Sequence, residues 1–380
     1  MSPIYAELRR AGPISRVSTP AGAPAWLVTA HAEARSLSGD PRLRRSRPES
    51  EKAARISGTA LNGSHVGDHK TEEAFHARMR RLLVPAFAAK RMLALSERIE
   101  ELVVERLDAM AEAYDQSPDG VVDLHRHLAA PLPIAVICEL FGVSEEEYFR
   151  GLSARMGASA TGGDAQQTWA EFAAYMLRQV AAKQDDPAED ILSDLARAKA
   201  AESDFTEEEL IIIAVGILFA GRESTAGFID FGALWLLSDP RRLDAVVADP
   251  GRVEGTVEEI LRLSAPSNFG LRRYAHEDVE IGGVTIARGD AVMISSAAAN
   301  RDPNVFPDPD RFDPSRSPNP HLTFAHGAHF CIGASLARIE LRAAFTGLLA
   351  RFPGIRLAVG LDEIKPRTDA FGVTGVPVTW

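Results

Sequence analysis

The chain has 380 residues, 46% of them hydrophobic and 25% charged, which is ample material for a large core. Its 42 Lys and Arg against 53 Asp and Glu leave a net charge of −11, which argues against nucleic acid as a bulk partner. Two cysteines, Cys138 and Cys331, offer no disulfide framework and suit a reducing compartment.

Residues Met1 to Arg10 carry no apolar signal stretch, so a cytoplasmic protein is expected. Helical periodicity dominates the rest of the chain. It predicts helices over Glu73–Phe87, Met92–Ala113, Trp169–Lys183, Asp190–Ala200, Glu207–Leu237 and Ser335–Ala350. The apolar stretch Pro133–Phe141 holds Cys138, read as core filler. Thr206 and Glu209 form a capping box at the start of the longest helix. Its most apolar run, Leu210–Gly221, is too short for a bilayer and is closed by Arg222 and Glu223. Strand signals are short: Ala25–Thr29, Asp278–Ile281, Thr285–Ala287, Ala291–Ser295 and Val376–Trp380. Gly282-Gly283 reads as a hairpin turn. Asn300–Pro320 is rich in Pro, Asp and Asn and is expected to be irregular but ordered. No linker or repeat marks a boundary, so residues 1–380 are expected to form a single, mainly α domain with small β-sheets.

The most specific segment is Phe324-Ala-His-Gly-Ala-His-Phe-Cys-Ile-Gly333, followed by a helical run. Glycine lets a backbone approach a flat partner and take a positive φ. Amide N–H groups at a helix start favour a thiolate. A thiolate held against a flat macrocycle is what an axial haem ligand requires.

This segment resembles the haem-ligand signature of the cytochrome P-450 family, Phe-Gly-x-Gly-x-His-x-Cys-x-Gly. It matches at Phe324, Gly327, His329, Cys331 and Gly333, and departs at Ala325, where the family usually has Gly. Three further stretches resemble family motifs in the same order along the chain. His76 and Arg80, four apart on one helix face, resemble its propionate-binding pair, with Arg273 and His329 as further donors. Ala220-Gly221-Arg222-Glu223-Ser224-Thr225 resembles its oxygen-activation motif. Dioxygen reduction needs protons, so a carboxylate and a hydroxyl near iron suit a relay; here Ser224 stands where the family usually has Thr. Glu259-x-x-Arg262 resembles its structural ion pair, completed by Arg311 in a buried charge network.

The resemblance implies the triangular helical prism of that family around a buried haem b, with Cys331 as axial thiolate and the catalytic relay on Glu223, Ser224 and Thr225. Phe324, Gly327, Ala220 and Gly221 would border the haem. His65 in the polar Asn62–His69 loop, Leu218, Phe219, Asn268 and Phe371 would line the substrate pocket. No nucleotide-binding loop, flavin or nicotinamide module is present, so electrons are expected from a ferredoxin with its reductase. Arg78, Arg81, Arg338 and Arg342 would give that acidic donor a basic face. A monomer without membrane contact is expected. The activity implied is a monooxygenase tailoring a small secondary metabolite. Two other readings stay open on the sequence. One is an oxidase cross-linking aromatic groups, for example in a short peptide, without oxygen insertion. The other is a haem-thiolate sensor or binding protein, which would not need the Glu223–Ser224 pair.

Overall fold

The computed structural model describes residues 4–19, 21–49, 70–143, 146–159, 165–266, 270–368 and 371–380. The Asn62–His69 loop with His65, and Asn268, lie outside the described residues. In chain order the elements begin with α1 (Ile4–Ala11), β1 (Ile14–Ser18), β2 (Pro24–Val28), α2 (His31–Ser38), β3 (Leu43–Arg44), α3 (Glu72–Leu83), α4 (Ala89–Asp115) and β4 (Val122–Asp123). A helical run comes next: α5 (Pro131–Phe141), α6 (Glu146–Ser159), α7 (Ala165–Asp185), α8 (Ile191–Ala201), α9 (Glu207–Leu237), α10 (Pro240–Ala248) and α11 (Val253–Leu263). The chain ends with β5 (Leu271–Ala275), β6 (Val279–Ile281), β7 (Val284–Ile286), β8 (Ala291–Ile294), α12 (Ser296–Ala299), α13 (Ala334–Arg351), β9 (Arg356–Leu357) and β10 (Pro377–Thr379). Two units divide these elements: Met1–Arg78 with Leu261–Cys331, and Met79–Ile260 with Ile332–Trp380.

The first unit is built on a five-stranded sheet in the order β1-β2-β8-β5-β3. Its β2–β8 pair is parallel and the other neighbours are antiparallel. Trp26, Val28, Leu37, Leu43, Val292 and Ile294 fill a core beside it. The β6–β7 hairpin turns at Gly282 and Gly283, whose φ values of 58° and 78° are those of a two-residue turn. Asn300–Pro320 is irregular, as expected, and is pinned by buried hydrogen bonds. Asn300 donates to the Arg262 carbonyl at 3.1 Å and accepts from Leu322 N at 2.7 Å.

The second unit is helical, with a small sheet in the order β4-β10-β9. In α4, Met92, Ile99, Leu102, Val103, Leu107 and Met110 are buried, an apolar stripe at helical spacing. Each such side chain contributes about 1.5–3 kcal/mol on burial. Helix α5 is buried almost all round, Cys138 included, so it shows no amphipathic stripe and its period is not readable in the sequence. Helix α9 opens on the expected capping box: Glu209 N donates to Thr206 Oγ1 and Thr206 N to Glu209 Oε2, both at 3.1 Å. The helix runs unbroken past Arg222 and Glu223 to Leu237. By length and composition alone it could cross a membrane. It also carries Arg222, Glu223 and Asp230, and packs against α5, α7, α10 and α13.

Candidate active site

In the first unit the loop before Cys331 folds as its glycines and aromatics dictate. Phe324 is buried, and its carbonyl accepts from Cys331 N at 2.9 Å. Phe330 N closes a short turn on the Gly327 carbonyl at 2.9 Å. Gly327 has φ 74°, and a Cβ there would lie 2.7 Å from the Cα of Gly39, so no side chain fits. Ala325 also takes the left-handed region, at φ 61°. The family's usual glycine is thus missing at a residue whose backbone would suit one. The Cys331 residue is exposed, while Cys138 is buried.

Beside this loop the same unit gathers positive and protonatable groups. The His76 and His329 rings lie 4.3 Å apart. Arg273, on β5, is buried; its Nη1 donates to the Arg272 carbonyl at 2.8 Å, and its Nε has no partner among the described residues. Burial, with repulsion from Arg45, lowers Arg273 to about 10. His329 falls to about 4, chiefly through burial and then through Arg273, His76 and Arg45. Glu72 carries the opposing charge, but its carboxylate is already engaged. It accepts from Arg45 N at 2.8 Å, from Ser46 N at 2.9 Å and from Ser46 Oγ. Arg80 stands one turn beyond His76 on α3.

A buried guanidinium with an orphan N–H, next to a histidine held neutral by burial and by surrounding cations, is a site built for an added anion. Two haem propionates fit that need. Arg45 and Glu72 were not singled out in the sequence. The available signal was the basic run Leu43-Arg-Arg-Ser-Arg47, which has no helical spacing to distinguish it.

Behind the loop, α11 is joined to the irregular segment through arginine–carbonyl bonds. Arg262 and Glu259 are fully buried on α11. Arg262 donates to the carbonyls of Asn300 at 2.9 Å, Pro309 at 2.7 Å and Arg311 at 3.1 Å. Its guanidinium carbon lies 5.1 Å from the Phe306 ring centroid. Arg311 therefore contributes its backbone carbonyl, while its own residue is exposed. The second buried arginine is Arg301, which donates to the Leu263 carbonyl at 2.7 Å and to Asp310 at 3.0 Å. An irregular segment offers carbonyls without internal partners, which suits arginine forks.

In the second unit the expected relay lies midway along α9. Ser224 Oγ donates to the Ala220 carbonyl at 2.5 Å. Glu223 pairs with Arg222 at 2.7 Å, and Thr225 is buried. Ile212, Gly216 and Ala220 are exposed at four-residue spacing, and Ser224, half-buried, continues the line. An apolar stripe ending in polar groups is thus left uncovered on an otherwise apolar helix. Phe219 is half-exposed, with the Arg222 guanidinium 6.0 Å from its ring centroid. Leu218 does not line a pocket: it is fully buried in the core, because two residues along a helix turn a side chain about 200° away from Ala220. Phe371 is half-buried against α9, its ring centroid 5.1 Å from that of Phe228 and 5.2 Å from that of Phe231.

The expected basic face is largely neutralised. Arg338 pairs with Glu258 at 2.6 Å, Arg342 with Glu254 at 3.7 Å and Arg81 with Glu202 at 2.8 Å.

Known proteins resemble the chain over nearly its whole length. A family model for cytochrome P450 matches residues 153–355. The cytochrome P450 monooxygenase PikC of Streptomyces venezuelae is 38% identical over 383 residues, covering 100% of this chain and 90% of its own. The mycinamicin IV hydroxylase/epoxidase of Micromonospora griseorubida is 36% identical over 384 residues, covering 99% of this chain and 94% of its own. The crystal structure of the LnmA cytochrome P450 hydroxylase from Streptomyces atroolivaceus S-140 matches with a TM-score of 0.88 at 37% identity, over 100% of this chain and 96% of that one. The thiolate loop, the cationic cradle and the polar patch midway along the long helix therefore have a common explanation: the chain belongs to the cytochrome P450 family, and is a haem-dependent monooxygenase with a cysteine thiolate as axial ligand.

Proposed function

We propose that residues 1–380 form one catalytic domain in the cytoplasm, acting as a monomer, which inserts one oxygen atom of dioxygen into a small molecule with electrons from a ferredoxin and its reductase. The haem, when bound, supplies the activation of dioxygen that no side chain can perform. In this reading Cys331 is the axial thiolate, since Cys138 is buried in α5. His76, Arg80, Arg273 and His329 hold the propionates. The orphan Nε of Arg273 gains a carboxylate partner, and His329 gains an acceptor that offsets the surrounding cations. Phe324 and Gly327 of the ligand loop would border the haem, as would Ala220 and Gly221 of α9. Glu259 and Arg262 hold the segment behind the loop.

Proton delivery falls to Glu223, Ser224 and Thr225. The Ser224 hydroxyl proton rests on the Ala220 carbonyl, so it must rotate away before it can donate elsewhere. Glu223 must exchange its contact with Arg222 for that role. The uncovered stripe from Ile212 to Ala220 that ends at these groups is the observation that carries the reading. Relatives named hydroxylase and epoxidase support insertion over coupling.

The test is product mass under labelled dioxygen, over a panel of macrolide and terpenoid metabolites. Gain of one labelled oxygen atom is expected. Loss of two hydrogens without label would replace insertion by coupling. Ser224→Ala should lower product formed per dioxygen consumed.

A further inference from the structure

Residues Glu223, Gly227 and Asp230 are spaced four and then three apart on α9, so they share one face of that helix. Glu223 belongs to the proton relay. The other two have no part in it, yet both are tied to one loop. Gly227 lies directly under Phe371: a Cβ there would sit 2.3 Å from the Phe371 ring. Asp230 is fully buried, and its carboxylate accepts from His125 Nδ1 at 2.9 Å and from Val373 N at 3.4 Å. Between them, Gly372 has φ 129°, and a Cβ there would come within 2.9 Å of Asp230 Oδ2. The far side is fastened as well. Asp123 accepts from the backbone N–H groups of His125 at 3.0 Å and Val376 at 2.8 Å.

A buried carboxylate is costly unless it is paired and hydrogen-bonded. Here its partners come from two other segments of the unit, and one of them, through Val373, is the segment that carries Phe371. The aromatic ring is wedged on bare helix backbone at Gly227, between the relay and the anchor. We propose that the Asp230–His125 pair is a positioning device for Phe371, and that through this ring it sets the width of the substrate space beside Glu223 and Ser224. Loosening the pair lets the ring leave Gly227 and changes which apolar groups fit there. The proposal rests on the reading that Phe371 borders the substrate space.

The experiment uses the haem-loaded protein and two probes that bind haem iron, imidazole and 4-phenylimidazole, titrated through the Soret band. Imidazole reports access to the iron. The phenyl group adds contact with an apolar wall. The carbon monoxide difference spectrum of each reduced variant checks that thiolate ligation is intact. Phe371→Ala should weaken 4-phenylimidazole about tenfold, the magnitude of one aromatic contact, and leave imidazole unchanged. Asp230→Asn and His125→Gln should weaken it severalfold, and that loss should vanish in the Phe371→Ala background. Gly227→Ala pushes the ring and the Phe371 carbonyl aside while leaving both side chains of the pair in place, and should reproduce the loss, which keeps the test decisive if Asp230→Asn does not fold. An equal loss in both backgrounds would overturn the positioning role, as would wild-type selectivity in Gly227→Ala. If Phe371→Ala itself leaves both probes unchanged, the pocket reading falls, and the inference with it.

Discussion

Removing the guanidinium of Arg262 is the sharpest test of how the ligand loop is held. In Arg262→Ala the carbonyls of Asn300, Pro309 and Arg311 each lose a donor. The first bond is buried and the other two are part-buried, so water can reach two of the three carbonyls. Counting about 3 kcal/mol for the buried acceptor and about 1 kcal/mol for each of the others gives about 5 kcal/mol. That is comparable to the whole stability of a typical domain, about 5–15 kcal/mol. Arg262→Lys keeps the charge but not the fork, and should cost about 2–3 kcal/mol. For a chain of this size that is a fall of about 3 °C in melting temperature. The assay is thermal melting followed by circular dichroism, with haem content read from the Soret absorbance. The alanine variant should fail to accumulate with haem, and the lysine variant should melt early. Wild-type haem content and melting in Arg262→Ala would refute the claim that these three bonds hold the segment.

Local geometry sets two further outcomes. Asp230 first, and Asp123 by its charge, raise the pKa of His125 above its ordinary 6.5, against burial and against Arg367. A histidine raised on folding contributes stability that is complete below 6.5 and lost as pH climbs through the raised value. Melting temperature should therefore decline above pH 6.5 more steeply in the wild type than in His125→Gln, and equal slopes would show that the pair contributes nothing. Ala325→Gly should stabilise the protein by about 0.5–1 kcal/mol. It relieves about 1–2 kcal/mol of left-handed strain while returning part of that as unfolded-state entropy. A lower melting temperature for the glycine variant would contradict this.

Local chemistry was readable along the chain. The Cys331 loop, the Thr206–Glu209 capping box, the Gly282-Gly283 turn and the interrupted run of α9 all consist of residues adjacent in sequence. Their geometry comes from backbone freedom and nearest-neighbour hydrogen bonds, which the order of residues determines. Helix α5 was obscured because a helix buried on all sides has no polar face to reveal its period. The tertiary structure alone decided which polar groups meet. It replaced the Arg311 side chain with its carbonyl and brought in Arg301, turned Leu218 into the core, and added Arg45 and Glu72 to the cradle of His76, Arg273 and His329. It also joined His125 to Asp230 across 105 residues. Such contacts leave no periodic trace, because a buried charge is satisfied by whichever partner the packed chain delivers to it, however far away in sequence.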